Sequence, residues 1–410
     1  MKRLISLLLT ICMIWTLTSC GNGNEPTPTE VIPPIVPPVE MEQEEINHQE
    51  EIPEVSDEPF EGKIAIITDH PHAILSYSSA LPIIDRYGEE KIIHENGPLN
   101  WSDQDEIARI VKALSNNLDV KVIIANPLFH MSISDFERLR ETREDIFWVV
   151  CASNILWLDE ILVEIADLIL VVDEIGTGSA MVRQAYKMGA ETFVHYSISQ
   201  ISWSYELIDI ARRDLIEQEC AELGIRFIEV VIPEAIRWNT SERHRFLRES
   251  MQRIVQNYGR NTAFFGAQMF ELLPQVMYLG GIFPQPGHRH LFRSPFHIFD
   301  HFLYEDLVEI HSAAEEAIAL TREFFNESGM LGRISDWPIP YEFLFTHAAT
   351  EYAIKRLNGE VPKDGIDVDV LRGIMEDFAG VNVYLTPFTD LETGITHEHV
   401  LMMRMGYFIY

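Results

Sequence analysis

The sequence predicts an α/β protein of two doubly wound lobes joined by hinge crossovers, and three observations predict it. Short runs rich in Ile and Val alternate with amphipathic stretches from Lys63 onward. The alternation restarts after Gly176, and glycines stand where helical stretches stop, at Gly189, Gly224 and Gly259. Near-continuous apolar runs suit strands of a parallel sheet covered on both faces, while an amphipathic helix buries one stripe against that sheet.

In chain order, the first lobe spans 63–176, with strand runs at 63–69, 91–94, 120–126, 146–152 and 167–173. Between the second and third lies a helix around 105–114, with Ile107, Ile110, Val111 and Leu114 on one face and a start signal in Ser102, Asp105 and Glu106. The second lobe is placed at 177–410, with segments returning to the first lobe. It reads as a helix at 177–188, a strand at 192–196, a helix through Leu207, Ala211 and Leu215, and a strand at 225–232. A helix at 241–258 and a strand at 262–266 follow. Past Met277, Gly280, Gly281, Pro284, Pro286, Gly287 and Pro295 mark a long loop. Helical patterns at 302–325 and 341–357 are assignable to neither lobe, and strands are expected at 381–385 and 400–410 around Gly394.

Charge narrows the partners. The 410 residues carry a net charge of −33, with 47% hydrophobic and 10% aromatic residues. A body so acidic repels polyanions, which argues against nucleic acid and against direct binding to anionic lipid. Cys151 and Cys220 are the cysteines expected in the folded body; one disulfide between them and two buried thiols are both compatible with the sequence. No CxxC pair is present, so nothing supports a structural zinc site.

The start of the chain bears on location. Lys2 and Arg3 precede an apolar stretch at 4–17, too short for a comfortable bilayer span, which ends in Leu17-Thr18-Ser19-Cys20. This resembles the bacterial lipoprotein signal. The resemblance implies a signal peptide at 1–20, lipidation of Cys20 and a body tethered to the cell membrane on its extracytoplasmic face. Residues 21–62 hold eight prolines and twelve acidic residues without Lys or Arg, and read as a disordered stalk.

One further resemblance concerns the body. The stretch Ala166-Asp167-Leu168-Ile169-Leu170-Val171-Val172-Asp173, with Gly176, Ala180, Ala185, Met188-Gly189-Ala190 and Thr192-Phe193-Val194, resembles the interlobe strand, helix and strand of type I periplasmic-binding proteins. That superfamily includes sugar-binding proteins, basic membrane lipoproteins and repressor effector domains. More narrowly, Gln184 to His195, Glu222 to Phe227 and Tyr258 to Phe265 resemble an uncharacterised lipoprotein family within it. The resemblance implies two Rossmann-like lobes that close on a small-molecule ligand for a membrane permease, as in ABC transport, or for a sensor. It implies no enzymatic step and no cofactor.

Ligands in open α/β sheets sit beyond the carboxyl ends of the strands. The candidates are therefore Asp69 and His70 after the first strand, Asn126 after the third, and Ser153 and Asn154 after the fourth. The second lobe adds His195 and Ser197, then Gln268 and Glu271. For each, capping the next helix is an equally good reading, and Asp173 at the crossover leans that way. Tyr77, Trp101, Trp203 and Trp238 offer rings for stacking, or belong to the core. Gly176-Thr177-Gly178-Ser179 offers amides to a phosphate, or makes a tight crossover.

A solute-binding protein is the leading reading. One rival is a surface metal-dependent hydrolase using His288, His290, His297, His301, His311, His397 and His399, although no HExxH spacing occurs. Another is a binding fold reduced to protein contacts. A transcription regulator fits poorly, since no basic helix-turn-helix segment is evident.

Overall fold

A computed structural model describes residues 60–71, 73–99, 103–126, 133–153, 160–198, 205–266, 272–284, 322–390 and 393–410. Two compact units are distinguished: Phe60–Phe388 with Thr396–Tyr410, and Thr389–Ile395 with residues 1–59. In the small unit, the amide of Asp390 donates to the Ile395 carbonyl at 2.9 Å. All that follows concerns the large unit, which itself has two lobes.

Lobe 1 is built on a seven-stranded sheet. Its strands are β1 (Lys63–Thr68), β2 (Ile92–Asn96), β3 (Val120–Asn126), β4 (Phe147–Ala152), β5 (Leu168–Val172), β11 (Val383–Thr389) and β12 (Thr396–Met405), in the spatial order β11-β12-β5-β4-β3-β1-β2. β1 pairs in parallel with β2 and β3, and Val400 of β12 pairs in parallel with Ile169 of β5. Alternation explains the continuous apolar runs. Ile64, Ile66, Leu168 and Leu170 join one core, and Ala65, Ile67, Ile169 and Val171 join the core on the opposite face.

Helices α3 (Gln104–Asn116), α4 (Ile133–Thr142) and α5 (Glu160–Ile165) connect β2 through β5, and Ile107, Ile110, Leu114, Phe136, Leu139 and Leu162 fill the second core. Asp103 caps α3, its carboxylate accepting from the Glu106 amide at 3.2 Å. The cap is thus Asp103 and not Ser102, because Asp103 is the residue three before a free helical amide.

The other face is covered by α1 (Ile74–Ser79), α2 (Leu81–Tyr87) and two late helices, α10 (Tyr341–Leu357) and α11 (Val368–Ala379). Helix α10 is apolar around most of its circumference, with Tyr341, Leu344, Phe345, Ala348, Ala349 and Tyr352 all buried. Such a helix needs cover on several sides, and the sheet and α11 supply it. The return to lobe 1 is thus large, running from Trp337 to Met405. The two closing strands are shifted from the spans the sequence pattern marked: β11 starts at Val383 and runs on to Thr389, and β12 starts at Thr396 and stops at Met405, its first four residues partly exposed and its apolar second half buried.

Lobe 2 contains β6 (Thr192–Ile198), β7 (Arg226–Ile232) and β8 (Thr262–Gly266) in the order β7-β6-β8, all parallel. The short strands β9 (Phe283–Pro284), β10 (Ile334–Asp336) and β13 (Phe408–Ile409) form a second trio in the order β13-β10-β9. Hydrogen bonds from the Ile282 amide to the Thr262 carbonyl and from the Phe264 amide to the Ile282 carbonyl stitch the two trios together. Helices α6 (Thr177–Lys187) and α7 (Tyr205–Leu223) cover one face; α8 (Thr240–Tyr258) and α9 (Leu272–Leu279) cover the other.

The chain crosses between lobes at 173–176, at 336–337 and at 405–408. Cys151 and Cys220 are both buried and free, one in each lobe, so no disulfide links them. Burial pushes the Cys220 thiol up to about 12 and Cys151 higher still, which leaves both unreactive. Among the described residues, no helix is long and apolar enough to cross a membrane.

Candidate functional site

At the carboxyl ends of β1 and β3, lobe 1 buries a polar network. The Asp69 amide donates to Ser76 Oγ at 2.9 Å, and Ser76 Oγ donates to the Asn126 carbonyl at 2.8 Å. The Asn126 side-chain amide donates to the Glu342 carbonyl at 2.7 Å and to Thr346 Oγ1 at 2.6 Å, and Ser79 Oγ lies 2.8 Å from the same Thr346 oxygen. Two strand ends and two helices, α1 and α10, are locked in this way. Asn126 is fully buried, and its Oδ1 has no hydrogen-bond partner among the described residues.

Asp69 and Asn126 are thus brought together through Ser76. Tyr77 instead lies against His94, ring centroids 5.2 Å apart, and His94 Nε2 meets Thr68 Oγ1 at 2.8 Å. Burial holds the His94 imidazole down to about 4. His70 sits in the turn after β1, its carbonyl accepting from the Ala73 amide at 2.7 Å.

Lobe 2 places His195 at the centre of β6 and not at its end as the sequence suggested, because the strand runs on to Ile198, and leaves it 2% exposed. Its Nδ1 lies 3.0 Å from Ser197 Oγ, which donates to Glu229 Oε1 at 2.6 Å. Since the serine proton is committed to the carboxylate, Nδ1 carries the imidazole proton and Nε2 is a lone-pair acceptor. That Nε2 is buried and has no hydrogen-bond partner among the described residues. Burial and the nearby Arg212 and Arg213 hold the ring down to about 3, so it is neutral at physiological pH.

Arg212 is 4% exposed and stacks its guanidinium 5.4 Å from the Phe265 ring centroid; His195 lies 5.6 Å from the same centroid. The Arg212 charge is matched by Asp209, and its Nη1 reaches the Glu174 carbonyl in the crossover at 3.5 Å. Its Nε has no hydrogen-bond partner among the described residues.

The crossovers themselves are closed structures. Asp173 accepts from the Gly176 amide at 2.8 Å and pairs with Arg404 at 3.0 Å. The Thr177 and Gly178 amides donate to the carbonyls of Asp173 and Ile175. A Cβ on Gly178 would stand 2.7 Å from the Arg212 carbonyl, so this glycine serves a close helix approach. The amides of 176–178 are spent within the turn and hold nothing back for a phosphate. Asp336, 2% exposed, and Tyr407, whose buried hydroxyl lacks a partner, sit at the other two crossings. Burial raises both above their ordinary values.

Asn154, Trp203, Gln268, Glu271, Trp101 and Cys20 lie outside the described residues, as do His288, His290, His297, His301 and His311. Trp238 is 82% exposed under the Arg237 guanidinium, away from any core. Among the described residues, no three His, Cys, Asp or Glu side chains are grouped to hold a metal; a His399 ring nitrogen is 2.8 Å from the Val163 carbonyl.

Sequence reading missed Ser76, Arg212, Asp336 and Tyr407. For Arg212 a signal existed. Ile208, Ile216 and Cys220 are buried at fourfold spacing along α7, and Arg212 occupies the same row.

Residues 63–335 match the family described as protein of unknown function (DUF3798). The chain belongs to this family. An uncharacterized protein of Treponema pallidum (strain Nichols) is 25% identical over 220 residues, covering 53% of this chain and 94% of that one. Among solved structures, a "Putative transcriptional regulator" from Clostridium difficile 630 aligns with a TM-score of 0.69 at 19% identity, over 86% of this chain and 100% of that one. At that identity the likeness is one of fold. A sugar ABC transporter structure from Actinomyces odontolyticus ATCC 17982 aligns with a TM-score of 0.44 at 10% identity, over 73% of this chain and 84% of that one. The DUF3798 chain and the Clostridium difficile chain share a fold, which here has two α/β lobes built mainly on parallel strands and three crossings between them.

Proposed function

We propose that this DUF3798 protein is a lipid-anchored extracytoplasmic solute-binding protein, attached through Cys20, whose lobes close on a small ligand and pass it to a permease or report it to a sensor. The observation that carries the reading is a pair of buried, unpaired acceptors, one per lobe: Asn126 Oδ1 at the end of β3 and His195 Nε2 in β6. Native proteins rarely leave such atoms unmatched, and a ligand that donates to both supplies what the polypeptide does not. Closure then follows from the ligand's differential affinity for the closed form. Asp69, His70, Tyr77, Asn154, Trp203, Gln268 and Glu271 are proposed to contribute from the strand ends around them.

The test is a thermal-shift screen of the full chain in detergent against nucleosides, sugars, amino acids, short peptides and divalent metals. A ligand at one hundred times its dissociation constant stabilises by about 2.7 kcal/mol, a rise of a few degrees for a chain of this size. A selective rise is expected. A rise with metals alone would move the assignment to the histidine-based hydrolase, and no rise at all would leave protein contacts as the function. Expressed in an exporting bacterium, Cys20→Ser should lose labelled acyl chains and leave the membrane fraction; unchanged membrane attachment would overturn the anchor.

A further inference from the structure

Two buried atoms of opposite hydrogen-bonding sense share one aromatic ring in lobe 2. His195 Nε2 is an acceptor without a donor, Arg212 Nε–H is a donor without an acceptor, and both side chains rest against Phe265. Neither side chain is loose. The imidazole is oriented by the chain from Glu229 through Ser197 to Nδ1, and the guanidinium is held by Asp209 and the Glu174 carbonyl. A hydroxyl group answers both atoms at once, since it donates one hydrogen bond and accepts others.

We propose that His195 and Arg212 form a subsite for a hydroxyl group of an uncharged solute, which donates to His195 Nε2 and accepts from Arg212 Nε–H, with Ser197 and Glu229 as positioning residues that fix the imidazole tautomer. This rests on the solute-binding reading and specifies its chemistry. An anionic group is disfavoured twice. The Nε2 lone pair repels it, and the Arg212 charge is already matched by Asp209. Ser197 and Glu229 act through the ring: without the serine hydroxyl nothing commits the proton to Nδ1, and the ring would turn its N–H toward the solute hydroxyl.

The experiment is nitrogen NMR of the full chain with 15N-labelled histidine, the His195 signals being identified by their loss in His195→Gln. In the unliganded protein Nδ1 should carry the proton and Nε2 should show the shift of an unprotonated nitrogen, unchanged between pH 5 and 8. Ser197→Ala should mix the tautomers and Ser197→Thr should restore the single form; a protonated Nε2 in the parent protein overturns the inference. D-ribose, D-glucose and myo-inositol are then added as hydroxyl-bearing probes, with citrate and inorganic phosphate as anions. The expected result is that one neutral probe raises the melting temperature and moves the Nε2 signal, and that His195→Phe weakens its binding about tenfold or more. If a solute stabilises the fold but leaves Nε2 unmoved, the subsite is wrong and solute binding stands. Stabilisation by the anions alone also removes the subsite. If neither these probes nor the wider screen stabilises the chain, both fall together.

Discussion

Lobe 1 closes the carboxyl end of its sheet with a network in which Ser76, Asn126, Ser79 and Thr346 bond one another and the backbone of α10, leaving one atom, Asn126 Oδ1, unmatched. Lobe 2 closes its sheet with separately held side chains, His195 and Arg212, and leaves an acceptor and a donor unmatched around Phe265. The difference lies in what covers each sheet. Helix α10 returns from the end of the chain to supply lobe 1 with backbone carbonyls and a threonine, whereas α7 offers lobe 2 an arginine whose partners are Asp209 and the crossover. In these two clusters, lobe 1 ties its strand-end groups into one network with a single atom open, and lobe 2 holds two separate side chains with one atom open on each.

The largest break in this comparison should come from Arg212→Met. It leaves the Asp209 carboxylate without its cation and should cost about 3 kcal/mol in urea unfolding of the full chain. A loss below about 1 kcal/mol would mean that Asp209 rehydrates freely and that Arg212 is not part of the lobe's framework. Asn126→Ala comes next, at about 2 kcal/mol, because it strips a donor from Thr346 and the Glu342 carbonyl in a fully buried site. An unchanged melting curve would show that the lobe 1 network is not structural.

Acid separates the lobes more finely. His94 and His347 in lobe 1 are held down to about 4 by burial, and His195 in lobe 2 to about 3. A histidine depressed in the folded state stabilises fully above its unfolded value of about 6.5, and that contribution drains as pH falls toward the folded value, since only the unfolded chain takes up the proton. Asp336 and Asp209, raised by burial, work in the opposite direction. Comparing His347→Phe with the parent isolates one histidine: the parent should lose stability relative to the variant between pH 6.5 and 4. Parallel pH profiles would show that His347, stacked 4.0 Å from the Phe378 ring, protonates in the native state. The smallest effect is reserved for Tyr407→Phe. Removing a buried hydroxyl that bonds nothing should leave stability unchanged or raise it by up to about 1 kcal/mol, and a clear loss would reveal a bond made at the hinge.

Much of this molecule was legible before its structure. The Ile/Val runs of β1, β3, β4 and β5 and the glycines ending α6, α7 and α8 stand where the pattern put them, because a strand buried on both faces and a helix stopped by a left-handed residue are local consequences of local chemistry. Asp69 and His195 were also readable, as polar residues interrupting or ending apolar strands. Helix α10 was visible as a helix but not as part of lobe 1, and Arg212 was not singled out because its helix was read through Leu207, Ala211 and Leu215. By itself, the sequence determined the principal strands and long helices of the body and their order. Only the tertiary structure decided that residues 337–405 go back to lobe 1, that Ser76 joins Asp69 to Asn126, and that His195 and Arg212 share one ring with an atom each to spare. Periodicity reports which face of an element is buried, but which partner lies across that face depends on contacts hundreds of residues apart, and no local pattern encodes them.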